Sequence, residues 1–475
     1  MKSTDAESSL PVRARTRGFS AIQTVKFAHL RQSALNLSVA LYCLYGLAFA
    51  QDQQKNGTAP AGTLLVTLQD ALSRAQANEP QYRAALTQYG VAKENRVQGR
   101  AALLPSVSYT SSFLYTQGNG TPSGRFIANN GVHEYLNEGN AHQQFSLQSV
   151  AEYRRARAQE ALAKAQSEIA ARGLVVVVTQ AYYGFVVAQR KYSTAQRAVS
   201  EAQNFFDISQ NLEHGGEVAH SDTIKAQLQL QQQQRALQDA ELEVDRSRLE
   251  LAVLIFPTFN ENFTTVDDLD NLGALPSFSE VETLAGNNNP QLRVALATLK
   301  AADQEVAVAW NSFLPTLTLD YFYGVDANQL AVNGTDFTVT PPRHVRNLGY
   351  SAVATLEIPV WNWGASRSKV KAAELGRAQA KTELSFAQRK MAADLRDFFK
   401  EAEVARSELE SLRHSAELAA ESLRLTTLRY QAGEATVLEV VDSQNTLTTA
   451  QNALGDGQLR YRVAVANLQT LTGRF

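Results

Sequence analysis

Residues 425–443 read Leu425-Thr426-Thr427-Leu428-Arg429-Tyr430-Gln431-Ala432-Gly433-Glu434-Ala435-Thr436-Val437-Leu438-Glu439-Val440-Val441-Asp442-Ser443. One long helical pattern enters this stretch and another leaves it, with Gly433 between them. A lone glycine that takes a positive φ stops one helix before the next begins, so the stretch predicts the tip of a helical hairpin. A second such turn occupies residues 211–222, Asn211-Leu212-Glu213-His214-Gly215-Gly216-Glu217-Val218-Ala219-His220-Ser221-Asp222, where Gly216 matches Gly433. Either turn alone is also what an ordinary helix–helix loop looks like. Their meaning comes from the chain around them, which is written twice.

Glu79-Pro80-Gln81-Tyr82-Arg83-Ala84-Ala85-Leu86 matches Asn289-Pro290-Gln291-Leu292-Arg293-Val294-Ala295-Leu296 at an offset of 210, and Leu104-Pro105 matches Leu314-Pro315 at the same offset. The tip glycines are 217 apart, so a small insertion separates them from the earlier anchors. This is a tandem duplication, with a first repeat over residues 51–256, a linker over 257–278 and a second repeat over 279–475.

Each repeat has one order. A helix is expected over about residues 68–103 and again over 279–313, ended by Leu-Pro because the residue before proline avoids the α region. A strand follows, in which Val107, Tyr109, Phe113 and Tyr115 alternate with Ser106, Ser108, Ser112 and Leu114. Its counterpart alternates Leu317, Leu319, Tyr321 and Tyr323 with Thr316, Thr318, Asp320 and Phe322. Period-two alternation with one apolar face is the mark of a strand. Gly/Asn-rich loops (118–140 and 324–347) lead to return strands. The second is clear from Leu348 to Ile358; the first rests only on Phe145 and Leu147. The longest helices are expected over 151–212 and 365–431, rich in alanine, the best helix former. Shorter helices return over 221–254 and 437–471. The linker reads as a loop with a short helix.

The first 50 residues read as a secretory leader: basic residues up to Arg31, an apolar run over 35–47, and Ala48-Phe49-Ala50 as a cleavage site. An anchoring helix is the alternative, although the run is short for a bilayer. The sole cysteine, Cys43, lies within it, so the mature chain is expected to have neither disulfides nor thiol chemistry. The chain holds 45 Lys+Arg against 47 Asp+Glu; the leader takes six basic and two acidic residues, leaving a net charge of −6. That balance gives no support to nucleic-acid binding. No Ser/His/Asp order, zinc spacing, nucleotide loop or acid–base pair suggests an enzyme or a cofactor. His214 and His220 read as surface residues, and the glutamine run 231–234 as a solvated helix face.

Four amphipathic strands suit a tilted crossing of a bilayer, but an open four-stranded sheet leaves backbone groups bare in lipid. The strands therefore belong either to a soluble sandwich on a helical stalk or to a barrel pooled from two or three chains. Aromatic rows on one face and Ser/Thr on the other favour a lipid-facing wall around a wet lumen.

With the duplicated helix–Leu-Pro–strand pattern, the Ile358-Pro359-Val360-Trp361-Asn362-Trp363-Gly364 stretch before the long helix, and Arg429-Tyr430, Gly433, Glu439-Val440 and Ser443-Gln444 at the tip, the chain resembles the TolC-like outer-membrane efflux proteins over about residues 65–473. The first repeat departs from the pattern, since Gln148-Ser149-Val150-Ala151-Glu152-Tyr153 lacks the Pro and Gly of the strand-to-helix joint. The resemblance implies a mainly α fold with a small β part. Three copies would pool four strands each into a twelve-stranded outer-membrane barrel, continued by a periplasmic α-helical barrel. It implies a homotrimer, a periplasmic adaptor protein and an inner-membrane pump that supplies the energy, with the chain itself a passive exit duct. A periplasmic coiled-coil scaffold or adhesin without conduction is the other reading.

The candidate residues lie at the tips. Glu439 and Asp442, three apart, share a helix face. The resemblance implies that they ring the lumen, where repulsion among copies would raise some of their pKa values. It likewise implies a hydrogen bond between Tyr430 and Asp222 that holds the entrance shut, without the arginine the family often carries where this chain has Ala435. Gly215, Gly216, Glu217, Gly433, Glu434 and Ala435 are the expected adaptor contact.

Overall fold

The structure, a computed structural model, describes residues 64–115, 133–260, 262–336 and 339–473. The expected leader and residues 118–132 of the first interstrand loop lie outside the described residues.

The first repeat runs β1 (Leu64–Val66), α1 (Leu68–Asn78), α2 (Pro80–Ala101), β2 (Ser106–Tyr115), β3 (His133–Phe145), α3 (Leu147–His214) and α4 (His220–Ile255). After β4 (Phe263–Thr265) the second runs α5 (Phe278–Asn288), α6 (Pro290–Asn311), β5 (Thr316–Ala327), a side hairpin β6 (Asn333–Asp336) and β7 (Arg343–Arg346), then β8 (Leu348–Glu357), α7 (Ala365–Gln431) and α8 (Val437–Thr472). The long helices have 68 and 67 residues, about 100 Å each at about 1.5 Å per residue. Gly376 lies inside α7 without breaking it.

Three expectations need correction. The single first helix of each repeat is two helices, because Pro80 and Pro290 each start a new one. The residues before them, Glu79 and Asn289, are extended, and their side chains accept hydrogen bonds from the amides of Tyr82 and Leu292. Proline is at home in a first turn and excludes α geometry just before itself. The first return strand also begins far earlier than Phe145, at His133, and Leu147 already starts α3. Likewise β5 continues through Gly324 to Ala327, and β6 and β7 occupy part of the second loop. Finally, the described linker holds the strand β4, paired in parallel with β1, and no helix.

The main sheet has the order β2-β3-β5-β8, antiparallel throughout. Register puts Val107, Tyr109, Phe113 and Tyr115 on the same face as Tyr135, Ala141, Leu319, Tyr323, Tyr350 and Leu356. A soluble sheet hides such a face; here Val107 is 81%, Tyr109 72% and Tyr350 76% exposed in the single chain. The other face carries Ser108, Thr110, Glu138, His142, Asp320 and Glu357. The outer edges of β2 and β8 have no strand partner among the described residues.

In the helical part α3 packs against α4, α7 against α8, and α3 against α8, so two hairpins lie side by side with α4 and α7 on the flanks. The main core gathers Val66, Val178, Tyr182, Phe185, Leu251, Ile255 and Phe263, where β1, β4, α1, α3 and α4 meet. One window of α3 is apolar enough to cross a membrane, but its Val178, Tyr182, Phe185 and Val186 fill this core. The linker is pinned there. Arg190 binds Asp267 (2.7 Å) and Asp270 (2.8 Å) through Nη2 and Gln458 (2.9 Å) through Nη1, and the Tyr182 hydroxyl donates to the Val266 carbonyl (2.9 Å).

Candidate functional site at the hairpin tips

Both hairpins turn in the same way. In α3 the amide of Gly216 donates to the Glu213 carbonyl (2.9 Å) and that of Glu217 to Leu212 (2.8 Å). In α7 Gly433 donates to Tyr430 (3.0 Å) and Glu434 to Arg429 (2.8 Å). These are paired Schellman motifs, with φ of +76° at Gly216 and at Gly433. A Cβ at either position would meet nothing within 4 Å; conformation, not space, demands glycine there. Gly215 is a helical C-cap at φ −74°. Val218 and Ala435, the corresponding residues after each turn, fold back onto the core of the tip. Ala435 is therefore half-buried, while Gly215, Gly216, Glu217, Gly433 and Glu434 are exposed.

That core consists of Phe205, Ala226, Ala419, Leu423, Tyr430, Val437, Val440 and Leu447, contributed by all four long helices. Tyr430 lies inside it, with its ring 5.0 Å from that of Phe205. Its hydroxyl is 3.0 Å from Ser209 Oγ, which itself donates to the Phe205 carbonyl (2.9 Å). With that proton committed, the phenol donates to Ser209. The expected Tyr430–Asp222 hydrogen bond does not form within the chain: Asp222 pairs with Lys225 at 3.0 Å. Burial raises the Tyr430 pKa; the Ser209 bond opposes the rise and the charge of Asp222 adds to it.

Glu439 is the third residue of α8 and closes a capping box with Thr436. Its Oε1 accepts from the Thr436 amide (3.1 Å) and hydroxyl (3.1 Å), and Oε2 lies 3.5 Å from Arg429. These contacts hold the Glu439 carboxyl below the usual glutamate range, the Thr436 amide bond first. The expected upward shift concerned repulsion among neighbouring copies, whereas these contacts act within one chain. Asp442 is exposed, one turn further along α8. Asp222 holds the corresponding third position in α4, but the N-cap there is Ala219 with no side-chain cap bond. Freed of capping, Asp222 turns to Lys225.

Several contributors escaped sequence reasoning. Ser209, seven residues before Gly216, joins α3 to Tyr430. Thr436 and Arg429 brace Glu439; the Thr-x-x-Glu spacing was a readable capping-box signal. Gln233 belongs to no solvated face: it is buried, and with Gln229 it donates to Asn445 across to α8 (3.2 and 3.0 Å). His220 bonds Glu213 (2.7 Å) in the exposed first tip. No cluster of potential metal ligands occurs among the described residues.

The sequence matches the family described as "Outer membrane efflux protein" over residues 71–255 and again over 283–474, once per repeat. The chain belongs to the outer membrane efflux protein family. Among its relatives, the alkaline protease secretion protein AprF of Pseudomonas aeruginosa is 22% identical over 86% of this chain and 84% of its own length. The outer membrane protein TolC of Vibrio cholerae is 22% identical over 88% and 93%. The CmeC outer membrane channel of Campylobacter jejuni superposes with a TM-score of 0.72 at 16% identity, covering 86% of this chain and 85% of that one. This family member is thus an outer-membrane exit duct of the efflux and secretion class, with its sheet in the outer membrane and its helices in the periplasm. The double match also bears out the tandem repeat.

Proposed function

We propose that this efflux protein works as a homotrimer whose three four-stranded sheets close into one twelve-stranded barrel. The observation that carries this reading is the sheet with an exposed apolar face and two outer edges, β2 and β8, that are unpaired among the described residues. Lipid does not tolerate unpaired backbone edges, so β8 of one copy pairs with β2 of the next until the ring closes. The same closure places α7 of one copy beside α2 and α4 of the next and makes a hollow helical wall.

The tips then form the inner mouth. In each copy the Tyr430–Ser209 bond ties the second hairpin to the first, and the Glu439 and Asp442 carboxylates repeat around the opening. The exposed Gly215, Gly216, Glu217, Gly433 and Glu434 receive a periplasmic adaptor, which connects the duct to an inner-membrane pump. The chain is passive, and the partner supplies the energy. Single-channel recording in planar bilayers tests the latch: Tyr430→Phe and Ser209→Ala should each raise the resting conductance, and unchanged conductance in both would remove it.

A further inference from the structure

Between β5 and β8 the chain makes a small ribbon of its own, in which β6 (Asn333–Asp336) pairs antiparallel with β7 (Arg343–Arg346). It stands at the end of the main sheet away from the helices, because β5 enters from α6 and β8 leaves to α7 at the other end. With the helices in the periplasm, the ribbon lies at the outer face of the membrane. Its root is fixed: the Asn347 amide donates to the Val332 carbonyl (2.9 Å) and Asn347 Nδ2 to the Ala331 carbonyl (3.0 Å). Beyond that root each ribbon strand packs mainly against the other. A lone two-stranded ribbon is marginally stable in water, so a surface outside the single chain is needed to hold it.

The ribbon has the chemistry of a lipid contact. Arg343 and Arg346 are exposed, and neither has an ion pair or a side-chain hydrogen bond among the described residues. Residues 330–347 hold these two arginines and one acid, Asp336. Three apart on one strand, Arg343 and Arg346 point to opposite faces. A ribbon lying flat on a protein would use one of them; a ribbon standing among headgroups uses both. Alongside, Leu330, Val332 and Val339 are 63%, 50% and 44% exposed. Aliphatic side chains beside unpaired cations match an amphiphile that carries both acyl chains and phosphates.

We propose that Arg343 and Arg346 bind the phosphates of the phosphorylated glycolipid of the outer leaflet, lipopolysaccharide, with Leu330, Val332 and Val339 against its apolar part. A guanidinium meets a phosphate with two parallel hydrogen bonds, and each cation at an anionic membrane surface adds to the attraction. The competing placement is a lid over the wet mouth of the barrel, which would leave the three aliphatic side chains in water.

The proposal rests on membrane insertion of the sheet, and the test separates the two. The full chain is reconstituted in phosphatidylethanolamine vesicles, and flotation reports insertion. Binding of fluorescent bisphosphorylated lipid A to the detergent-solubilised protein is then followed by anisotropy, with phosphatidylglycerol and inorganic phosphate as competitors. The wild type should bind lipid A, and Arg343→Gln/Arg346→Gln should bind it about tenfold or more weakly. Arg343→Lys/Arg346→Lys should stay within about threefold, since it keeps the charge. Both competitors should displace the lipid poorly. Equal affinity in the wild type and the Gln variant overturns the proposal. So does displacement by phosphatidylglycerol, which would mean a general anionic-lipid surface, or by inorganic phosphate, which would mean a free-anion site. A changed single-channel conductance in the Gln variant with unchanged lipid A affinity would make the ribbon a lid and also overturns it. Flotation without lipid A binding removes the glycolipid site and leaves the barrel standing; failure to float overturns both.

Discussion

Tyr430 and Ser209 make a buried side-chain bond at the tip core that joins the two hairpins directly. Replacing Tyr430 with Phe removes the donor and little volume, so it should cost about 1 kcal/mol, as measured by thermal or denaturant unfolding. Ser209→Ala should cost a similar amount, and the double variant should cost less than the sum, because both remove one interaction. At the turns, the φ of +76° at Gly433 makes Gly433→Ala unfavourable by about 1 kcal/mol without any clash. Gly215, at φ −74° with ordinary contacts around a Cβ, should accept alanine with an unchanged unfolding midpoint. Loss of transport in Gly215→Ala would then report a surface role and not a folding one. Glu439 makes one pH-dependent contribution. Its folded pKa is depressed, so its contribution is present above the ordinary carboxyl range and is lost as pH falls through the lowered value. Carboxyl NMR should find it still ionised where a free glutamate is half protonated. Thr436→Val should move it back up.

Among the elements, the tips differ where the repeats have diverged. The second tip has a capping box, and the first starts α4 at an alanine with no side-chain cap bond. Ala219→Thr would complete Thr-x-x-Asp and should stabilise the first tip by about 0.5–1 kcal/mol, while Thr436→Ala should weaken the second by about 1. Amide exchange at each tip would show both changes, in opposite directions. The long helices and their turns were legible because helix-forming residues and a single decisive glycine speak locally. The break in each first helix was legible in principle, from Pro80 and Pro290. The first return strand was hidden because Asn137, Gly139 and Ala141 occupy positions where large apolar residues would have marked the outer face. The partner of Tyr430 was not readable at all: Ser209 is 221 residues away, and only packed helices bring the two together.

For the whole molecule, duplication within one chain provides four strands and four long helices, but no closed surface. Among the described residues the sheet ends in two bare edges, and flank helices expose leucines such as Leu228 on α4 and Leu418 on α7. Completion by further copies is the central claim, and cysteine crosslinking tests it directly. The sole cysteine, Cys43, is changed to serine, and cysteines are placed on β2 at Ser108, Thr110 or Ser112 and on β8 at Ser351 or Thr355. Oxidation in intact outer membranes should give a ladder of one, two and three chains that stops at three. A ladder that never leaves the single chain, or that runs past three, would contradict the account.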